Sequence, residues 1–364
     1  MGRSKTLIGE IQKYNLEVIK MSKFKFSVGP WNVHNGADAY GPAVRNDITF
    51  ENKIKKFAQL GFSAIQFHDD DAVPNINKLT EEEIKAAARQ VKSLLEKYGL
   101  VAEFVAPRLW MDPHTIDGGF MSTSIKDREF AMWRAYRSID IANELGCNKI
   151  VLWLAREGTL CAESKSPVDA TKNLIESINK MLAYDSKIKI LIEPKPNEPI
   201  DRSVCGTIGH VMGVSAATTD PSRVGGLLES AHAILAGLDP AHEIGFGLAM
   251  GKLWGVHLND QNGIKYDQDK SFGVENLRQA FNQVKVLMEN NYGSNGEYVG
   301  LDVKAMRTTV DADSYKHLEN SLKIVEALEA KVNRFDYDYQ KKCVETRDFE
   351  GLEMYVLNLL MGIE

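Results

Sequence analysis

The stretch HLNDQNGIKYDQD, residues 257–269, holds a dense set of side chains able to ligate a divalent cation: His257, Asn259, Asp260, Asp267 and Asp269. Asp267 and Asp269 stand two apart, so they reach a single ion only from an irregular loop or a strand. Carboxylate oxygens suit Mg or Mn, and an imidazole among them tilts the choice toward Mn or Co. A D-x-D in a loop is more often a turn, so the reading needs further ligands elsewhere in the chain. Glu229 and His232 form E-x-x-H, a spacing that brings both side chains to one ion from a single helical turn. Glu193 opens EPKPNEP with Lys195 two residues on, and in an extended segment the two share a face. A lysine there can donate to a developing oxyanion; a surface proline-rich turn would give the same string. Asp302 closes the apolar run in LDVK, where a buried carboxylate needs a partner. Glu193, Glu229, Asp267, Asp269 and Asp302 in one mouth would repel one another unless cations lay between them. Their number predicts two divalent cations, Mn, Mg or Co.

Other residues offer proton handling and an apolar wall. His68 opens HDDD after an apolar run, and Asp71 can hold one ring nitrogen so that the other faces a substrate. Trp31, Trp110 and Trp153 each sit at or just past a strand-like run. Aromatic faces stack on the C–H groups of a carbohydrate and keep a pocket dry, although a single tryptophan is more often core.

These residues need a scaffold that gathers them. Apolar runs at 24–29, 62–68, 101–106, 149–155, 188–194, 224–230, 254–259 and 297–303 read as strands. Amphipathic stretches lie between them, such as 80–99 and 127–146. Thr80 with Glu83 reads as a capping box, and Gly99 and Gly146 as helix stops. Continuous rather than alternating apolar strands indicate a parallel sheet covered on both faces. Eight strands, each followed by a helix, make an α/β (β/α)₈ barrel, a TIM barrel. His68, Glu193, Glu229, His257 and Asp302 then fall at or near C-terminal strand ends, where such a barrel places its catalytic groups. Residues 1–23 read as an N-terminal extension, 24–334 as the barrel, and 335–364 as a short C-terminal helical tail.

Composition sets wider bounds. The 364 residues are 44% apolar with a net charge of −6 and both signs interspersed, so neither a nucleic-acid nor a membrane surface is expected. Cys147, Cys161, Cys205 and Cys343 lie far apart without metal spacing and read as free thiols. The first residues mix charge through their apolar positions, unlike a secretory signal, and a cytoplasmic location is expected.

Taken in order, FHDDD, IDGGF, WLAREG, EPKPNEP, E-x-x-H and QNGIKYDQD resemble the xylose isomerases over roughly residues 24–305. The resemblance implies a (β/α)₈ barrel assembled as a homodimer or homotetramer, with a monosaccharide substrate. It implies that Glu193, Glu229 and Asp302 bind a first ion, with His257 where the family has an aspartate. Glu229, His232, Asp267 and Asp269 would bind a second, Glu229 bridging the two. His68, oriented by Asp71, would assist ring opening, and Lys195 would contact the carbonyl oxygen at C1 or its neighbour. Trp31, Trp110 and Trp153 would wall the sugar, with Tyr40 of AYGPAVR reaching a neighbouring subunit's site. The implied reaction is a metal-assisted 1,2-hydride shift between an aldose and its 2-ketose.

Three departures bear on this. His257 removes one negative ligand and looks like the arrangement in rhamnose isomerases and ketose 3-epimerases. APRLW (106–110) lacks the family's threonine and asparagine and carries Arg108 instead, and the tail is much shorter than the family's arm. The alternatives are a ketose 3-epimerase using Glu193 and Asp302 for proton transfer, a rhamnose-isomerase-like enzyme, or a non-catalytic sugar-binding barrel.

Overall fold

Apolar runs covered on both faces are most stable as parallel strands with helices packed outside, and the chain takes that form. The computed structural model describes residues 22–264 and 266–363. Its strands are β1 (Phe26–Val28), β2 (Ala64–His68), β3 (Val101–Ala106) and β4 (Lys149–Trp153), then β5 (Lys189–Glu193), β6 (Val224–Glu229), β7 (Leu253–Leu258) and β8 (Val299–Leu301). They close into a parallel barrel in chain order, with β8 pairing back to β1. The expected (β/α)₈ architecture is therefore the observed one.

The strands begin and end within two residues of the apolar runs, and β8 loses two residues of 297–303 at both ends. The Val303 amide leaves the ladder and donates to Asn32 Oδ1 at 2.7 Å. Asn32 also donates from Nδ2 to the Gly29 carbonyl at 3.1 Å, and its own carbonyl lies 2.8 Å from His317 Nε2. One fully buried asparagine thus ties the end of β1 to the end of β8 and closes the seam between the first and last strands.

The helices are α1 (Phe50–Gln59), α2 (Asp69–Ala72), α3 (Glu81–Lys97), α4 (Ile125–Leu145), α5 (Pro167–Tyr184) and α6 (Ile208–Ala216). After them come α7 (Ser230–Leu235), α8 (Pro240–Ala249), α9 (Leu277–Glu289) and α10 (Lys316–Asn333). Thr80 and Glu83 form the expected capping box on α3. Helix α4 starts two residues before the expected 127 because Ser124, not Asp127, caps it; Gly146 ends it at φ +83°. A two-stranded antiparallel piece, Gly158–Thr159 with Arg202–Ser203, joins the loops after β4 and β5 and was not apparent from sequence.

The tail forms α11 (Tyr337–Thr346) and α12 (Phe349–Met361). It packs on the barrel's own helices: Phe335 lies 6.1 Å from Phe281 of α9 and 5.4 Å from Tyr355 of α12. Lys331 of α10 donates to the Leu359 carbonyl at 2.7 Å. Of the expected N-terminal extension, residues 1–21 lie outside the described residues. Among the described residues, no helix is long and apolar enough to cross a membrane. Inside the barrel, Phe104, Ala106, Val151, Leu191 and Leu227 fill the lumen. They form an apolar floor beneath the strand ends.

Candidate active site

Side chains alternate along a strand, so the residue two positions beyond a lumen residue points into the mouth. Leu191 is followed in this way by Glu193, Leu227 by Glu229, and Val151 by Trp153. Gln66 leads likewise to His68, and Gly300 to Asp302. These side chains line a cavity of about 240 Å³ at the C-terminal ends of the strands. Two glycines make room there. A Cβ on Gly300 would lie 2.7 Å from His257 Cδ2, and one on Gly29 would lie 2.2 Å from the Trp31 ring.

Two groups of donor atoms converge in the mouth, Glu193–Glu229–His257 and Glu229–His232–Asp267, with Glu229 in both. His257 Nδ1 faces Glu193 Oε1 at 3.4 Å, Glu229 Oε2 at 3.6 Å and Asp302 Oδ2 at 3.8 Å. Those distances are too long for hydrogen bonds. They approach the separation of adjacent ligands around one ion, about 3.0–3.4 Å when each bond is about 2.1 Å. In the second group His232 Nε2 lies 2.9 Å from Asp267 Oδ2 and 3.2 Å from Glu229 Oε1. Both ring nitrogens of His257, Nδ1 of His232 and Oδ1 of Asp267 are buried without a hydrogen-bond partner. Buried polar atoms are rarely left so, and donors of this kind suit a divalent cation.

The electrostatics agree. Burial pushes the Glu229 carboxyl up to about 7 against the pull of His232. Burial acts likewise on Glu193, but His257 and His232 overcome it and hold that carboxyl down at about 2. Burial also opposes charge on the two imidazoles. The carboxylates win: Glu229 and Asp267 raise His232, and Glu193 holds His257 well above the usual range. Without added cations, the cluster draws positive charge from protons.

Three candidate ligands have additional partners. Asp269 accepts from Asn259 Nδ2 at 2.9 Å and is ion-paired with Lys304, and it lies outside both donor groups. Asp302 accepts from Trp31 Nε1 at 2.9 Å. Asp267 is paired with Lys195 at 2.9 Å, and that ammonium also reaches Glu198 at 3.0 Å. Lys195 therefore stands behind Asp267, over the Trp153 ring, and is not among the residues lining the cavity. Asp260 is engaged elsewhere, accepting the Glu275 and Asn276 amides to anchor the loop.

The aromatic residues form one wall. Ring centroids lie 4.3 Å apart for Trp31 and His68, 5.1 Å for His68 and Trp110, and 4.4 Å for Trp110 and Trp153. His68 Nδ1 lies 2.9 Å from Asp71 Oδ2, as the HDDD run suggests. Tyr40 is 86% exposed and is not among the residues lining this cavity. Lys304, Phe104 and Arg108 also line the cavity, and sequence reasoning gave none of them a role there. Lys304 and Arg108 were within reach of the period-two rule, being two residues beyond Asp302 and Ala106; Phe104 belongs to the lumen floor beneath them.

Residues 54–287 match the family described as xylose isomerase-like TIM barrel. The chain belongs to this family. It is 31% identical over 326 residues to the xylose isomerase of Thermus thermophilus, covering 87% of this chain and 82% of that protein. Solved structures of the same fold include a D-tagatose 3-epimerase-like protein (TM-score 0.62, 18% identity, 85% of this chain and 99% of that one). The apo 3-keto-D-glucoside 4-epimerase of E. coli is another (TM-score 0.58, 17% identity, 84% and 99%). His257 and Arg108 both line the cavity itself.

Proposed function

We propose that the protein is a metal-dependent aldose–ketose isomerase acting on a monosaccharide. The observation that carries this reading is the shared carboxylate of Glu229, which belongs to two adjoining groups of buried donors. The unpartnered Nδ1 of His257 and the free oxygen of Asp267 fit divalent cations, and His232 turns its Nε2 toward Glu229 and Asp267 in the second group. Glu193, Glu229, His257 and Asp302 would hold one, and Glu229, His232 and Asp267 the other. Asp269 would join the second on giving up Lys304. When bound, such cations supply Lewis acidity toward hydroxyl and carbonyl oxygens and a template for the linear sugar.

The chain's own residues do the rest. Trp31, Trp110 and Trp153 exclude water and stack on the sugar's C–H faces. His68 stands between two of them, placed to meet a polar oxygen during ring opening. Lys195 keeps its proton, because Asp267 and Glu198 outweigh the effect of burial, so it supplies positive charge near the reacting carbonyl rather than a base. Hydrogen would move between C1 and C2 as hydride. In a homodimer or homotetramer, exposed Tyr40 would be free to reach a neighbouring subunit.

The test is turnover of a panel of pentoses and hexoses by chelator-treated protein resupplied with Mg, Mn or Co, run in D2O. Metal-dependent aldose–ketose conversion without deuterium in the product supports the reading. Deuterium at the reacting carbon would replace the hydride shift with proton transfer, a ketose epimer as the product would make the protein an epimerase, and no turnover of any sugar would remove the reading.

A further inference from the structure

His68 Nδ1 has two close neighbours that make opposite demands. Asp71 Oδ2 at 2.9 Å can only accept, and it asks for a proton on Nδ1. Arg108 Nη2 at 2.8 Å can only donate, and it asks for a lone pair there. A guanidinium does not lose its proton in a protein, so Arg108 cannot adapt.

The surrounding hydrogen bonds decide between the two. Arg108 Nε donates to Asp70 Oδ1 at 2.7 Å, which fixes the plane of the fork. Nη2 carries two hydrogens and has two acceptors in reach, His68 Nδ1 and Asp71 Oδ1 at 3.2 Å. Asp71 does not depend on the imidazole: Oδ2 already accepts the His68 backbone amide at 3.2 Å, and Oδ1 faces Arg108. A lone pair on Nδ1 therefore satisfies every donor of this cluster. A proton on Nδ1 would set two N–H groups head to head at 2.8 Å and leave one Arg108 hydrogen without an acceptor. The support is rigid, since the Arg108 amide donates to Asp69 Oδ1 at 3.2 Å and Asp69 is clamped by Arg134 at 2.6 and 2.8 Å.

We propose that Arg108 is a positioning residue that holds His68 as the Nε2–H tautomer, so the cavity wall presents a hydrogen-bond donor where orientation by Asp71 alone would present an acceptor. The ring lines the cavity between Trp31 and Trp110, and its Nε2–H polarises a substrate oxygen there. That the oxygen belongs to a sugar rests on the proposed function; the tautomer does not.

The experiment is nitrogen NMR on sugar-free, Mg-loaded protein labelled with 15N-histidine, at about pH 8, above histidine's ordinary range. His68 is assigned by its loss in His68→Gln. The wild type is expected to show a protonated Nε2 and a bare Nδ1. Arg108→Met should swap the pattern to Nδ1–H, and Asp71→Asn should leave it as in the wild type. A wild-type Nδ1–H signal, or an unchanged pattern in Arg108→Met, overturns the proposal. Should Arg108→Met fail to fold, the wild-type and Asp71→Asn spectra decide alone. Failure to turn over sugars would leave this result standing.

Discussion

Truncating Asn32 to alanine tests whether the barrel seam also shapes the mouth. The substitution removes the acceptor of the Val303 amide and the donor to the Gly29 carbonyl, in a side chain that is fully buried. The Gly29 carbonyl still accepts the Asn32 backbone amide at 3.1 Å, so the Val303 amide is the group left orphaned in the interior, at a cost of about 1–3 kcal/mol. The unfolding entropy is about 2.1 cal/mol/K per residue, or about 0.8 kcal/mol/K for 364 residues, so Tm should fall by about 1–4 °C. Asp302 precedes Val303 and Trp31 precedes Asn32, so the Trp31–Asp302 hydrogen bond loses its anchor on both sides. Calorimetric melting and titration of the chelator-treated protein with Mn would read both effects. Affinity should fall at the Glu193–Glu229–His257 group and hold at the Glu229–His232–Asp267 group. A Tm within about 1 °C of wild type, with both affinities unchanged, would refute the argument that this asparagine couples the seam to the site.

Glu229→Gln should abolish turnover and lower bound metal at both donor groups, because one carboxylate serves each; elemental analysis showing full occupancy would end the bridging role. Lys195→Met removes an ammonium but frees the one Asp267 oxygen it engages, Oδ2, so metal content should be retained while kcat falls strongly. A change confined to KM would mean that the lysine only holds substrate. His317 should contribute to acid lability, since burial lowers its imidazole from 6.5 to about 4. The unfolded chain then takes up the proton first, so stability is intact above about pH 6.5 and falls by about 3 kcal/mol on the way to pH 4. His34 and Arg45, which face it, act in the same direction. Denaturation of His317→Gln across that range should give a shallower slope than wild type, and an identical slope would rule the imidazole out.

Much of this molecule was legible in one dimension. Continuous apolar runs at regular spacing indicated parallel strands buried on both faces, because such a pattern leaves no face for water. Their positions at the C-terminal ends of those strands then placed Glu193, Glu229, His257 and Asp302 at the mouth, and motif order pointed to the family. What the sequence could not show were partnerships across the barrel. Trp31 and Asp302 lie 271 positions apart and meet only because β1 closes against β8. The same closure makes Asn32 a seam clamp rather than a turn residue, while the pairing of β7 with β8 brings Lys304 to Asp269, and the folding of the loop after β7 sets Asn259 on Asp269 and Asp260 on the Glu275 and Asn276 amides. Arg108 shows the limit most clearly. Its string, APRLW, signalled only a departure, since the direction of a guanidinium fork and the ring nitrogen it meets are set by Asp69, Asp70 and Arg134 on other elements. Local spacing determined which side chains reach the cavity; tertiary packing decided which of their atoms remain free to act there.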